Sequence, residues 1–267
     1  MPDSALATFA AELKAWRERA GLTQQAFSDK LGYSAALVAA VEQCKRAPTG
    51  DFAARCDDVT GAPGTFARWQ AQVARESYPA FFAPVLAFER DAVRIHGWAL
   101  GAVPGLLQTE AYAEAVVRAR HPAGSAEAIE RIVSARMQRQ ELLGSERPML
   151  WYTVHEGVMR HHVGGRAVMA GQLDKLLGLV SSRRIVLQVL PFTAGDHAGV
   201  EGPVTVYEFA DAPSVAYTEC YGGGRIVEDR QEVGDLVTVV SLIRSNALSP
   251  ADSAGLIREI RSHVDDK

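Results

Sequence analysis

The side chains best suited to chemistry in this chain are two histidine clusters, an arginine pair and a glycine run. His155-Glu156 followed by His161 and His162 invites metal-assisted hydrolysis, in which two imidazoles hold zinc and a carboxylate moves a proton. That chemistry needs the second histidine four residues after the first, so that both share one helix face. Here the gap is six or seven, and His155 ends an apolar run that reads as a strand. Asp196-His197 sits in a loop beside Gly195 and Gly199, and no residue nearby supplies a nucleophile. Gly222-Gly223-Gly224 lacks the following Lys-Ser/Thr of a phosphate-cradling loop and reads as a strand connection. Arg136, Arg139 and Gln140 share a helix face and suit either a clamp for an anion or partner, or a solvated face paired with Glu141 and Glu146. No cluster offers three metal ligands, so the expectation is no catalytic residue, no metal, no cofactor and no enzymatic role.

A second kind of chemistry, nucleic-acid recognition, is written into the first 50 or so residues. Leu13, Gly21-Leu22-Thr23-Gln24-Gln25, Leu31-Gly32-Tyr33-Ser34, Leu37-Val38, Val41-Glu42 and Lys45-Arg46-Ala47-Pro48 follow at the spacing of a helix-turn-helix. Thr23 can cap a helix running to Leu31, and Gly32 permits the chain reversal that a tight interhelical turn requires. Ser34 then caps a second helix, on which Leu37, Val38 and Val41 face inward while Ala35, Ala36, Ala39, Ala40 and Gln43 face outward. Such an alanine-rich face offers contacts to thymine methyl groups and little hydrogen-bonded base readout.

Beyond this segment, Thr49 caps a fourth helix ending at Gly61, and Pro63 opens a fifth through Phe66, Trp69 and Val73. Helical periodicity fails between Tyr78-Pro79 and Pro84, which divides the chain into an all-α head, residues 1–77, and a second domain, 78–267. In that domain a short helix carries Glu89, Ala92 and Val93, Thr109 caps a helix to Ala119, and Ser125 caps one that reaches Leu142-Leu143. Apolar, β-branched runs at Met149 to His155, Ile185 to Leu190, Val204 to Phe209, Ser214 to Cys220 and Ile226-Val227 read as strands, with a helix from Val168 to Val180. Helices from Val233 to Asn246 and Pro250 to His263 close the chain, giving an α+β domain with a small mixed sheet.

The length of 267 residues fits one to two domains, and 48% hydrophobic with 22% charged residues is an ordinary globular composition. The net charge of -4 excludes a generally basic nucleic-acid binder, and the head alone, with nine Lys/Arg against eight Asp/Glu through Arg75, is nearly neutral. Cys44, Cys56 and Cys220 are an odd number without CxxC spacing and point to neither a disulfide framework nor zinc. With no signal segment and no membrane-length apolar run, the expected location is the cytoplasm.

Residues from about Ala5 to Thr60 resemble the Cro/repressor-like XRE class of DNA-binding domains. The resemblance implies phosphate contacts by Gln24 and Ser34, to which Gln25, Lys45 and Arg46 add, with Ala35, Ala36, Ala39 and Gln43 toward the bases. Cys44 departs from it, standing where a glycine ends the third helix. The strings Val103-Pro104-Gly105-Leu106-Leu107-Gln108-Thr109-Glu110-x-Tyr112, Arg136-x-x-Arg139-Gln140-Glu141 and Val189-Leu190-Pro191-Phe192-x-Ala194-Gly195-x-His197 resemble the C-terminal domain of WhiJ-like actinobacterial regulators. That implies a transcriptional regulator or antitoxin-like protein, often encoded beside a small partner protein. The expected reading is a homodimer on double-stranded DNA, with partner or ligand capture by Gln108, Tyr112, Arg136, Arg139 and Gln140. The alternative is an antitoxin-like interaction module with a degenerate DNA-binding head.

Overall fold

The computed structural model describes residues 4–76, 78, 81–220 and 222–265 and divides the chain into two units. The first comprises Met1–Ala80 with His121–Gln138, the second Phe81–Arg120 with Arg139–Lys267. The two units meet in sequence near residue 80, and residues 121–138 group with the first unit.

The first unit is helical: α1 Ala5–Arg19, α2 Gln24–Leu31, α3 Ala35–Glu42, α4 Gly50–Thr60 and α5 Thr65–Glu76, joined by most of α8, Ala126–Arg139. Local chemistry sets most of these ends. The Ser4, Thr23, Ser34 and Thr49 hydroxyls accept from the N–H of Ala7, Ala26, Leu37 and Phe52, and Gly32 and Gly61 close α2 and α4 at φ 72° and 71°. The start of α5 differs from expectation. Pro63 lies before it, and the buried Asp57 carboxylate on α4 accepts from the N–H of Phe66 and Ala67 at 2.9 and 3.0 Å. Phe9, Leu13, Phe27, Leu31, Val38, Phe52 and Phe66 form the core.

The second unit is built on α6 Ala83–Asp91, α7 Glu110–Arg120, α9 Glu156–Arg160, α10 Arg166–Ser181, α11 Arg230–Ser245 and α12 Pro250–Asp265 around one six-stranded sheet. The strands are β1 Arg94–Ala99, β2 Met149–His155, β3 Ile185–Leu190, β4 Val204–Glu208, β5 Val215–Cys220 and β6 Gly223–Val227, in the order β3-β2-β1-β4-β5-β6. β1, β2 and β3 are mutually parallel, and β4, β5 and β6 continue antiparallel. Both faces are buried. Ile95, Leu150, Val154, Leu187 and Tyr207 belong to the larger core with residues of α10 and α12, while Val204, Val206 and Ala216 pack with Val233 and Val240 of α11.

The mixed sheet is the expected one, with a central strand that the sequence reading misses. β1 joins the parallel and antiparallel halves, yet its sequence, Arg-Ile-His-Gly-Trp-Ala, is short, polar at alternate positions and interrupted by Gly97. The glycine is there for packing. A Cβ on residue 97 would stand 2.3 Å from the Tyr152 ring of the neighbouring strand. Two helices also differ from expectation: α6 begins at Ala83, with Pro84 in its first turn, and α8 gives way at Arg139 to a 3-10 turn over Gln140–Gly144. No described helix is long and apolar enough to cross a membrane.

Gly97→Ala is expected to destabilise the protein by about 1–3 kcal/mol, as overpacking does where an aromatic ring already fills the space. Chemical denaturation followed by tryptophan fluorescence checks this; an unchanged midpoint would mean that the Tyr152 ring swings clear at no cost.

Candidate nucleic-acid interface

The head is organised around a buried ion pair. Arg17 on α1 meets Glu42 at the end of α3 through two contacts, Nε to Oε1 at 2.5 Å and Nη2 to Oε2 at 3.1 Å, with side chains 9% and 4% exposed. The guanidinium also donates to the Leu22 carbonyl at 2.8 Å, tying the α1–α2 loop to the same point. The hydrogen bonds to Glu42 hold the Arg17 pKa above its ordinary value. Gln24 completes the group by donating Nε2 to Glu42 Oε2 at 2.7 Å.

This arrangement changes the expected part of two site residues. Gln24 is half-buried with its amide engaged by Glu42, and Gln25, though exposed, donates to Asp29 at 2.8 Å. Ser34 is exposed, and its oxygen accepts from Leu37 N–H, leaving the hydroxyl proton to donate outward. On α3, Ala36 and Gln43 are exposed and Ala35 and Ala39 half-buried.

Directly after Glu42 the chain turns sharply. Cys44 adopts φ 57°, Cys44 N–H donates to Val41 O at 3.0 Å, and Lys45 N–H donates to Ala40 O at 2.8 Å. These bonds form the paired closure of a Schellman C-cap, with cysteine at the position that favours glycine. Lys45 and Arg46 emerge exposed from this turn, and Gln138 of α8 holds the next residue by donating to the Ala47 carbonyl at 2.7 Å.

The second unit does not present the expected capture residues on a surface. Gln108 and Tyr112 are buried: Gln108 donates to Val103 O at 2.7 Å, and the Tyr112 hydroxyl accepts from Val103 N–H at 3.2 Å. Gln140 donates to the carbonyls of Gly105 and Gln108 and accepts from Lys175 at 2.5 Å, while buried Gln172 donates to Leu107 O and accepts from Thr109 N–H. Residues 103–109 lack a long helix or strand to satisfy their backbone, so side chains do it. Arg139 pairs with buried Glu89 at 3.1 Å and lies over the Phe82 ring, and Arg136 is half-buried. Burial pushes Glu89 above the usual carboxylate range, against the charge of Arg139.

Two of the histidines sit together beside Trp98. His155 and His197 lie 5.8 Å apart by ring centroid, each edge-on to Trp98, and each Nδ1 accepts the backbone N–H two residues onward, from Gly157 and Gly199. Glu156 is occupied by Arg160 and the Phe192 N–H. No group of three His, Cys, Asp or Glu among the described residues is placed to hold a metal.

A family model described as Domain of unknown function (DUF5753) matches residues 82–259, and one described as Helix-turn-helix domain matches residues 8–69. No curated protein and no solved structure matches the chain.

Cys44→Gly is expected to stabilise the protein by some tenths to about 1 kcal/mol, by removing a side chain from a left-handed position. Thermal unfolding showing equal or lower stability would mean that the cysteine's packing outweighs its backbone strain. Burial, and then the neighbouring His197, lower the His155 pKa. Its contribution to stability is therefore complete above the unfolded value of about 6.5 and is lost as pH falls below it. The melting temperature of His155→Asn, which keeps a capping oxygen, is expected to fall less than the parent's between pH 7.5 and 5; parallel declines would contradict this.

Proposed function

We propose, for a chain that belongs to the family of the Domain of unknown function (DUF5753) and carries a helix-turn-helix domain, that it is a sequence-specific DNA-binding transcriptional regulator. One observation carries this reading: α2 and α3, each capped by a hydroxyl residue, are joined at left-handed Gly32, and α3 ends in a turn that projects Lys45 and Arg46 into solvent. In a complex, Ser34 and the unpaired N–H groups at the start of α3 take one phosphate, and Lys45 and Arg46 take phosphates beyond the other end. Gln24 contributes through the amide hydrogen that Glu42 leaves unused, while Gln25 must release Asp29 to take part. Ala35, Ala36, Ala39 and Gln43 meet the base edges, so discrimination rests on thymine methyl groups and one amide.

A head with so few cations binds weakly alone. The protein therefore acts as a homodimer in the cytoplasm, where two heads on paired half-sites multiply a modest affinity. Its second unit receives a small partner protein or a small-molecule signal, the role suggested by its resemblance to WhiJ-like regulators of the XRE class. A second reading, an antitoxin-like module that sequesters a small partner and has largely lost DNA binding, is favoured by the absence of a basic side chain from α3.

The deciding measurement is fluorescence anisotropy of the full chain on a duplex library across a salt series. Lys45→Ala with Arg46→Ala should weaken binding to all sequences and flatten the slope of log K against log[salt] by about 1 to 2. An unchanged slope removes both residues from the interface. Absence of binding by the parent at low salt, together with co-purification of a small protein, selects the antitoxin-like reading.

A further inference from the structure

The turn that follows α3 is held at its two ends by neighbours in sequence, and in its middle by a residue far away. Cys44 N–H donates to Val41 O, and the N–H groups of Lys45 and Arg46 both donate to Ala40 O, at 2.8 and 3.2 Å. Beyond them the Thr49 hydroxyl caps α4, accepting from Phe52 N–H at 3.0 Å. Between these anchors Ala47 and Pro48 are buried in irregular chain, where Pro48 has no N–H to offer. A carbonyl so placed needs a donor from another part of the chain. Gln138 supplies it, with Nε2 donating to Ala47 O at 2.7 Å across a sequence separation of 91 residues.

Gln138 stands on a fixed support. The Ser125 hydroxyl caps α8 by accepting from Ala128 N–H at 3.2 Å, and the helix buries Ile129, Val133 and Ala135. Gln138 lies three residues beyond Ala135, in the last turn. The segment His121–Gln138 groups with the first unit although the chain on either side of it belongs to the second. The turn itself gains from an outside hold, because Cys44 is left-handed at φ 57°, a conformation that disfavours any residue with a side chain.

We propose that Gln138 is a positioning residue for DNA binding, which pins the Ala47 carbonyl and so holds Lys45 and Arg46 where they meet phosphates. The inference rests on the regulatory reading above and deepens it, since it gives α8 a part in the DNA-binding surface without contact to DNA. Lys45 and Arg46 are exposed and form no ion pair among the described residues, so the backbone of their own turn sets where the two charges stand. Released from Gln138, that backbone spreads the charges over more directions, and binding must then supply the ordering that the tether provides in advance.

The test is a double-mutant cycle on the full chain, read by fluorescence anisotropy on the duplex library at low salt. Gln138→Met keeps the length of the side chain and removes the donor. It should weaken DNA binding by about two- to tenfold, as loss of one neutral hydrogen bond does, with a melting temperature close to the parent's. In a Lys45→Ala, Arg46→Ala background the same substitution should have no further effect, because a residue that acts through those cations then has nothing to position. Gln138→Asn, one methylene too short to reach Ala47 O, should behave in the same way and takes the place of the methionine variant if that does not fold. Hydrogen exchange of the Lys45 and Arg46 amides, measured without DNA, should be about threefold or more faster in either variant, with exchange in α1 unchanged. Parent-like DNA affinity in both variants, an equal loss with and without the two cations, or unchanged exchange at residues 45 and 46 overturns the proposal while leaving the regulator standing. Failure of the parent itself to bind DNA sinks the regulatory reading, and the role of Gln138 on DNA falls with it.

Discussion

The Arg17–Glu42 pair is the interaction on which the head depends. It joins the first and third helices at a point where both side chains are largely withdrawn from water, and the same guanidinium anchors the loop that delivers the second helix. Removing one partner would leave the other charged and buried, a loss of about 3–5 kcal/mol, whereas replacing both with apolar residues of similar size could be nearly neutral. The consequence reaches past stability. Glu42 is the last residue of α3, so the pair also sets where the helix ends and the Cys44 turn begins. The direction in which Lys45 and Arg46 leave the head is decided beneath the surface, three residues before the first of them.

Buried polar groups serve two purposes in the second unit. Around residues 103–109 they replace the hydrogen bonds that a regular helix or strand would have made, and Gln140 and Lys175 support that group from other elements. On the sheet face, buried Glu89 serves a side chain instead, pairing with Arg139, and Tyr152 packs against the neighbouring strand. The placement of Tyr152 follows from Gly97, since its ring can lean over β1 only because that position has no side chain. A single glycine thus determines both the packing of the central strand and the position of a buried hydroxyl.

What was legible in the sequence was local. Thr23, Ser34, Thr49, Gly32 and Gly61 act on groups within a few residues of themselves, so the helices of the head could be placed from them. Cys44 was likewise readable as left-handed from its position past a helix end. The misses share a different cause, because each depends on something distant in the chain. Asp57 caps a helix nine residues away, β1 becomes a strand through neighbours some fifty and one hundred residues on, and residues 121–138 join the head across an intervening segment. Gln108, Tyr112, Arg139 and Gln140 looked like free polar groups because a backbone's unmet hydrogen bonds, and a buried acid at Glu89, leave no pattern in the residues that satisfy them.

The chemistry of α3 limits how this head can discriminate among sequences. Alanine can distinguish a thymine methyl group from its absence but cannot report a donor or acceptor, and Gln43 alone adds one hydrogen-bonding amide. The phosphate contacts proposed on the regulatory reading for Ser34, Lys45 and Arg46 fix register without reading bases. On the regulatory reading, specificity must then come largely from half-site spacing and from the deformability of the DNA between half-sites. Both are properties of how two heads are held and not of either head alone. A signal acting on the second unit could therefore change operator choice without altering any residue that touches DNA, by changing the spacing at which two otherwise undemanding heads are presented.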